Sequence, residues 1–383
     1  MSDLASVPSD RPPLRLGVTG MSRLPADRVA ADTRQAEEDG FDYVLWPDHL
    51  MAWHSNALWQ DRYTPLARYQ PDPHQYLNVI TCLAAAAVTS SRVMLGSGVT
   101  DVIRTHPATL AQQFLSLHHL SGGRALLGLG AGEGENLTPY GASLAGTVGR
   151  LEDALEIIRM LWSAEGPVNR DSAWWPLRDA VLGLGPVPGV GFPPIWLAAH
   201  GPRMLEITGR LADGWLPMLM APDVYAARLA TIAASRSAAG RDASFTPALW
   251  SYVCYGESRE ACLELFESPM YKTFALLLPA SDFEALGRPH PLGASGLGGF
   301  IPTRLDEEQI LRLTADVPVE LVARCVLHGT VDDVHDDLRA LQVAGMDVAV
   351  LGNVSFLTDR AQVRPSFAAQ RELVARVTGK VQV

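Results

Sequence analysis

The chain contains 383 residues, of which 48% are hydrophobic and 19% are charged, and its formal net charge is −11. This composition provides material for a large buried core and excludes an intrinsically disordered chain. The acidic balance argues against nucleic acid or an anionic membrane as a partner, because no excess of basic residues is present to displace counterions.

The N-terminal segment, residues 1–13, is polar and proline-rich and lacks the apolar stretch of a signal peptide. No run of about 18 apolar residues suggests a membrane span. Four cysteines show neither a C-x-x-C motif nor the spacing of a metal site, namely Cys82, Cys254, Cys262 and Cys325. We therefore expect reduced, buried thiols, no bound metal and a cytoplasmic location.

Short apolar runs alternate along the chain with longer segments of helical periodicity. The predicted strands are Leu14–Thr19, Tyr43–Trp46, Val93–Val99, Ala125–Leu129, Ile195–Ala198, Trp215–Pro217, Ala248–Tyr255 and Asp347–Leu351. The predicted helices are Asp27–Glu38, Tyr76–Thr89, Pro107–His119, Val148–Trp162, Arg203–Leu211, Val224–Ala239, Asp332–Val343 and Arg360–Val377. Strands that are apolar throughout are typical of a parallel sheet covered by helices.

Eight such units predict an α/β fold, a (β/α)₈ TIM barrel formed by one domain over residues 1–383, with a doubly wound open sheet as the alternative. Long loops follow the second and fourth units, at residues 47–75 and 164–194. A larger insertion, about 257–323, precedes the last strand. Long loops in a compact domain are usually functional or mobile.

In a barrel, residues directly after each strand line the catalytic face. The second strand is followed by Asp48 and His49, with Trp53 close behind; an imidazole beside a carboxylate can move a proton at neutral pH. Taken alone, such a pair is more often a turn cap with a satisfied histidine. The third strand ends in Gly96-Ser97-Gly98-Val99-Thr100, where the two glycines indicate a bulge or a close backbone approach to a ligand.

The fourth strand is followed by a glycine-rich segment, GLGAGEGEN, at residues 128–136. Its glycines would let the backbone lie against a flat ring or a phosphate, and Glu133 adds a carboxylate. The spacing does not match the G-x-G-x-x-G dinucleotide motif. The fifth strand leads through Ala199-His200-Gly201 into a helix whose first amides could bind an anion, although, taken alone, an ordinary helix start is the favoured interpretation.

When the residues that follow these four strands are considered together, the chain resembles the luciferase-like superfamily of flavin and deazaflavin enzymes. Within that superfamily it resembles the branch that uses coenzyme F420. That branch includes glucose-6-phosphate dehydrogenases and phthiodiolone ketoreductases, and the latter are the more similar. The likeness runs from about Leu14 to Val354. Its most specific stretches are WPDHLMAW at 46–53, GLGAGEGENLTPYG at 128–141 and WLAAHGPRMLEITGRLADGWLP at 196–217.

The resemblance implies catalytic roles for three residues: His49 moves the proton of the substrate hydroxyl, Trp53 packs over the reaction centre, and Glu133 manages the proton at the N1 edge of the cofactor. It implies cofactor contacts by Asp48, Gly98, Val99, Thr100, Gly132, Asn136, Ala199, His200 and Gly201. It further implies a cis peptide between Gly98 and Val99, and a phosphate-cradling turn at residues 199–201.

The function implied is hydride transfer between C5 of coenzyme F420 and the carbon of a ketone or alcohol. Sugar-phosphate dehydrogenases of this branch bind the substrate phosphate through basic residues of later loops. The segment Tyr271–Ile301 offers no clear equivalents of those basic residues. A larger or more apolar small-molecule substrate is therefore favoured. The alternatives are an FMN-dependent monooxygenase on the same barrel and a non-catalytic barrel that binds a flavin. Members of the family are often dimers, so a homodimer is possible.

Overall fold

A computed structural model describes residues 11–293 and 298–379 of the chain. The strands are β1 (Arg15–Thr19), β2 (Tyr43–Trp46), β3 (Met94–Ser97), β4 (Thr100–Asp101), β5 (Ala125–Gly130), β6 (Val168–Arg170), β7 (Leu177–Ala180), β8 (Ile195–Leu197), β9 (Gly214–Trp215), β10 (Thr246–Tyr255), β11 (Val326–Gly329) and β12 (Val348–Asn353).

The α-helices are numbered in chain order. They are α1 (Arg28–Glu38), α2 (Val79–Thr89), α3 (Pro107–Leu120), α4 (Gly134–Leu137), α5 (Thr147–Ser163), α6 (Pro202–Leu211), α7 (Pro222–Ala238), α8 (Arg259–Phe266), α9 (Pro269–Ala275), α10 (Ala280–Glu284), α11 (Glu307–Ala315), α12 (Val319–Ala323), α13 (Val331–Val343) and α14 (Val363–Thr378).

The sheet closes into the predicted barrel of parallel strands. Each strand pairs with its neighbour in the order β1, β2, β3, β5, β8, β9, β10, β12, and β12 returns to β1 with Arg15 opposite Val348. Alternate side chains from these strands fill the interior, among them Leu45, Leu126, Trp196 and Val350. Because the strands run in parallel, all their carboxyl ends lie at one mouth, where the residues singled out above converge.

The third predicted strand is shorter than the sequence suggests. The run Val93–Val99 was predicted as one strand, but β3 ends at Ser97 and the pairing resumes at Thr100 in β4, opposite Leu129. The peptide between Gly98 and Val99 is cis, as the resemblance implies. A strand broken in this way presents a bulge at the barrel mouth.

Two helices begin three residues after the predicted position. Helix α2 begins at Val79 rather than Tyr76, since the Asn78 side chain accepts hydrogen bonds from the amides of Ile80 and Thr81. The last helix begins at Val363 after a 3₁₀ turn, residues 360–362. The shift at α2 leaves Tyr76 in the preceding loop, where its side chain can enter the site.

The loop at residues 164–194 connects α5 to β8 and contains the antiparallel pair β6–β7, which the sequence did not indicate. It runs along the outer helices: His119 bonds to the carbonyl of Gly185, and the Phe192 ring stacks on Trp162. Its tip reaches the first turn of α5, where Trp174 lies beside Gly149. The segment therefore braces the outside of the barrel.

The insertion forms a helical layer, α8 to α12, with its own apolar cluster that includes Phe266, Phe274 and Leu321. The strand β11, also missed in the sequence, follows it and pairs with the upper half of β10. Part of the insertion reaches the barrel mouth, because the Leu305 carbonyl accepts a hydrogen bond from Ser55 in the loop after β2.

The four cysteines are free and buried, as predicted. Within the described ranges, the helices are all too short or too polar to cross a bilayer.

Candidate active site

The loop after β2 is anchored through Asp48. Its Oδ2 accepts hydrogen bonds from Thr100 Oγ1 at 2.6 Å and from Arg104 Nη2 at 3.0 Å. Arg104 also donates through Nε to Asp101 at 2.5 Å, so one largely buried guanidinium joins two carboxylates. Breaking a buried ion pair is costly because the remaining charge loses its partner. Asp48 therefore holds its loop against β4; its predicted contact with a cofactor stays a prediction.

His49, Glu133 and Asn136, although far apart in sequence, form one hydrogen-bonded group at the barrel mouth. His49 Nδ1 lies 3.3 Å from Glu133 Oε2, and Asn136 Nδ2 lies 2.9 Å from the same His49 nitrogen. Asn136 also donates to Glu133 Oε2 at 3.1 Å. Glu133 is directly N-terminal to α4, and its side chain stays 47% accessible. The group thus has a face open to a ligand.

His49 and Glu133 set each other's protonation. Burial lowers the pKa of His49, but the Glu133 carboxylate outweighs that effect and raises the pKa to about 9. The recessed position of Glu133 raises its own pKa, yet the His49 charge and hydrogen bonds from His49 and Asn136 lower it overall. At neutral pH the pair is an imidazolium beside a carboxylate, and the imidazolium can donate a proton.

The orientation of the Asn136 amide follows from the backbone around it. Its Oδ1 accepts from the amides of Leu50 and Met51, at 2.7 and 3.0 Å, and those groups can only donate. The Nδ2 group must then point at His49 and Glu133, where it can also only donate. In the imidazolium form Nδ1 carries a proton and donates to Glu133 Oε2, so the Asn136 amide donates to that same carboxylate oxygen and not to the ring. Asn136 thereby orients the Glu133 carboxylate that accepts from the imidazolium.

The glycines at the end of β5 and directly after it are needed for the protein's own packing and backbone, and their contact with a flat ring or phosphate stays a prediction. A Cβ on Gly128 would lie 2.0 Å from the Ser97 carbonyl oxygen, and one on Gly134 would lie 2.7 Å from that of Gly298. Gly132 has φ +93°, a conformation that favours glycine. These glycines let the β3 bulge and the insertion approach, and so bring Glu133 and His49 together.

An aromatic wall, defined as Trp53, Tyr252 and Phe274, stands beside this group. The Phe274 ring centroid lies 4.6 Å from that of Trp53 and 4.4 Å from that of Tyr252, in edge-to-face contacts. The wall joins the loop after β2, strand β10 and the insertion. Phe274 is fully buried and Trp53 nearly so, whereas the Tyr252 ring is partly exposed.

The lysine and the arginine of the segment 271–301 both make contacts within the protein. Lys272 is largely buried and pairs with Glu267 at 2.7 Å. Arg288 donates to the backbone carbonyl of Asp316 at 2.9 Å.

The turn after β8 places Ala199, His200 and Gly201 before α6. Gly201 is the N-cap, without a side-chain cap, and a Cβ there would meet no atom within 4 Å. Arg228 Nη1 lies 3.3 Å from His200 Nδ1, which adds a positive charge beside the helix start. Free amides and a cation at a helix N-terminus suit an anionic group.

Three residues near the site were missed in the sequence: Tyr76, Arg104 and Glu135. The Tyr76 ring lies edge-on to His49, with centroids 5.2 Å apart, and its hydroxyl accepts from Arg23 at 2.8 Å. Arg104 follows Asp101 by three residues in a strand-end loop, a spacing that could have signalled an ion pair. Nothing in the local pattern distinguished Glu135 from a solvated acid.

His49, Glu133 and Glu135 also have the spacing of metal ligands, with one candidate atom each within 4.8 Å of the others. However, the Asn136 Nδ2 donor contacts both His49 Nδ1 and Glu133 Oε2. An N–H donor directed at these two atoms occupies the space that a cation would need. The geometry therefore favours a proton-handling group here.

Sequence comparison identifies the family. The family model described as luciferase-like monooxygenase matches residues 12–348. The chain therefore belongs to the luciferase-like family, as the resemblance predicts.

Individual relatives narrow the class to an oxidoreductase, also as predicted. The chain is 37% identical over 344 residues to the phthiodiolone/phenolphthiodiolone dimycocerosates ketoreductase of Mycobacterium tuberculosis, covering 88% of this chain and 90% of the relative. It is 37% identical over 221 residues to the F420-dependent hydroxymycolic acid dehydrogenase of the same organism, covering 56% and 55%. A solved F420-dependent secondary alcohol dehydrogenase, in complex with an F420–acetone adduct, superposes with TM-score 0.74 at 19% identity over 96% of this chain and 99% of that one, which shows a shared fold.

Proposed function

We propose that the protein is a coenzyme F420-dependent oxidoreductase that interconverts a ketone and a secondary alcohol on an apolar substrate. The observation that carries the proposal is the His49–Glu133 pair, with 3.3 Å between Nδ1 and Oε2, at the mouth of the barrel. An imidazolium held there can protonate a carbonyl oxygen while hydride reaches the carbonyl carbon. The names of the ketoreductase and dehydrogenase relatives support the same chemistry.

The site suits an anionic cofactor that carries a flat ring. The uncapped start of α6 at Gly201, with Arg228 beside it, fits the charged part. Asp48, the segment Gly98–Thr100, Gly132 and Asn136 would border the ring at the other end of the mouth. When bound, a deazaflavin supplies or accepts a hydride at its C5 carbon.

The chain's own residues handle the proton and the orientation. In ketone reduction His49 gives a proton to the substrate oxygen, and in alcohol oxidation it takes that proton back. Glu133 keeps the imidazole charged before the transfer, and Asn136 holds the Glu133 carboxylate in place by donating to its Oε2. Proton transfer by a positioned group contributes roughly 10²–10⁴-fold to the rate. The remaining acceleration comes from positioning the reacting carbons.

The aromatic wall defines the substrate class. Tyr252 keeps part of its ring accessible, and the buried side chains of Trp53 and Phe274 support it, so the wall presents a limited apolar and π surface. A hydrophobic ketone would gain by burying the accessible part of that surface.

Cofactor binding and turnover test the proposal. Purified protein is titrated with F420 and, separately, with FMN, and binding is followed by fluorescence. Reduced F420 is then mixed anaerobically with a series of aliphatic and aromatic ketones, and F420 formation is followed by absorbance. We expect F420 to bind more tightly than FMN, and turnover to improve as the ketone becomes more apolar.

A protein that binds only reduced FMN and consumes oxygen with a reductase would instead be a monooxygenase. Binding of either cofactor without turnover across the whole series would indicate a non-catalytic barrel. In both cases the proposal would be wrong.

A further inference from the structure

Glu135 is a buried acid within the same group of titratable residues. Only 2% of its surface is exposed, and its Oε2 atom is buried without a hydrogen-bond partner. One oxygen of Glu135, one of Glu133 and one nitrogen of His49 lie within 4.8 Å of each other. A second charged carboxylate there would lack solvation and would repel Glu133.

We propose that Glu135 is a neutral acid at physiological pH that donates its O–H to Glu133 and so positions the Glu133 carboxylate on His49. This inference rests on the proposed function for its catalytic consequence, because it acts through the pair that handles the substrate proton. Glu135 is a positioning residue and need not touch substrate or cofactor. The charge of the group is then one imidazolium and one carboxylate, with no net charge.

The surroundings of Glu135 favour this protonation state. Burial, followed by the Glu133 charge, raises the pKa of Glu135 to about 8. The positive charge of His49 lowers the pKa of Glu135 and so opposes this shift. Arg104 lies close enough to lower the pKa of Glu133. Tyr76 and Tyr252 face the same group, and burial keeps Tyr252 neutral by raising its pKa. A carboxyl group with one carboxylate neighbour and little solvent is expected to retain its proton.

Infrared spectroscopy of the cofactor-free protein tests the protonation state directly. The carboxylic-acid C=O band of a buried group is followed by difference spectra from pH 6 to pH 10. We expect a band that shifts in D₂O, disappears with a midpoint near pH 8 and is missing in Glu135→Gln. In Glu133→Gln the midpoint should fall, because the repelling charge is gone. A band that survives in Glu135→Gln, or no band in the native protein at pH 6, would overturn the inference.

Kinetics test the positioning role in the holoenzyme. Glu135→Gln keeps an N–H donor toward Glu133, so kcat at pH 7 should stay within about twofold; Glu135→Leu removes the donor, and kcat should fall about tenfold with KM for the ketone unchanged. As the pH is raised, the activity of the native enzyme should decline at a lower pH than that of Glu135→Gln, because only the native side chain ionises near pH 8. Equal kcat in both variants and in the native enzyme would contradict the role. If no ketone is reduced at all while the infrared band behaves as stated, the proposed function fails and the protonation of Glu135 stands.

Discussion

The loops after β2 and after β8 reach the same barrel mouth but are held very differently. The loop after β2 is fastened at Asp48 by Thr100 and Arg104, and at Leu50 and Met51 by the Asn136 side chain. The turn after β8 ends at Gly201, around which a Cβ would find open space. One loop is ordered by side-chain hydrogen bonds within the protein, whereas the other leaves its backbone donors free.

This difference matches two tasks within one site. A proton donor must be placed to within a fraction of an ångström, so the side chains around His49 are satisfied by one another. A site for an anionic group must keep its amides available, so the start of α6 has no side-chain cap. Substitutions in the first loop should therefore change the chemical step, and substitutions in the second should change cofactor affinity.

The largest effect is expected for His49→Asn. The substitution removes the proton donor and leaves a polar side chain of similar reach, so kcat for ketone reduction should fall about 10²–10⁴-fold. Cofactor affinity, measured by fluorescence titration, should change by less than about threefold, because the substitution lies outside the α6 turn. Unchanged turnover with cofactor bound would remove His49 from the mechanism.

A smaller effect is expected for Glu133→Gln, and it depends on pH. Without the carboxylate, burial is the largest remaining influence on His49, opposed by smaller effects of Tyr76 and Glu135, and its pKa should fall from about 9 to its usual 6.5 or below. At pH 7.5 fewer than about one molecule in ten would then carry the imidazolium, so the rate should drop about tenfold or more. Histidine NMR titration of the free protein, with His49→Asn to identify the resonance, measures this shift directly.

The same pair makes stability depend on pH. His49 has a raised pKa in the folded protein, so its stabilising contribution is complete below about pH 6.5 and is lost as the pH rises through about 9. Thermal unfolding between pH 6 and pH 9.5 should show a fall in melting temperature that is smaller in His49→Asn, where the part of the fall below about pH 8 that belongs to Glu135 remains. An equal fall in both proteins would assign the loss to other groups.

The barrel could be predicted from the sequence because its signals are repeated. Eight apolar runs bounded by helical segments define the closed sheet, and each predicted barrel strand corresponds to an observed one. The exceptions depend on distant contacts. The strand pair β6–β7 lies on outer helices, and β11 pairs only with the upper half of β10, so neither carries a strong pattern of its own.

The site could be predicted only in part. Single residues at strand ends, such as His49 and Glu133, follow from barrel geometry together with the family resemblance. Their hydrogen-bond partners do not, because Asn136 reaches across 87 positions to His49 and Tyr76 depends on where α2 begins. Glycine density after β5 suggested ligand contact, while the contacts of Gly128 are with protein atoms. A homodimer and the cofactor contacts stay predictions.

Asn136→Asp tests the ordered loop with a smaller expected effect. Aspartate keeps the acceptor for Leu50 and Met51 but replaces the donor that faces His49 and Glu133 with an oxygen. Loss of one hydrogen bond to a charged group should lower kcat about tenfold, and the added charge should raise the pKa of His49 further. Asn169→Asp, which adds the same charge on the exposed β6–β7 pair, is the matched control and should leave both quantities unchanged.

The smallest effect is expected at the open turn, for Gly201→Val. The residue has φ −80° and ψ 157°, which valine adopts readily, so the melting temperature should not change. Its side chain would fill the space before α6, so Kd for F420 should rise about threefold to tenfold while kcat at saturating cofactor stays constant. Gly183→Val, also at an exposed glycine with no atom near its Cβ, controls for the added bulk. A Gly201→Val enzyme with lower kcat and native affinity would mean that the turn belongs with the reacting end of the site, and the division of tasks between the two loops would be wrong.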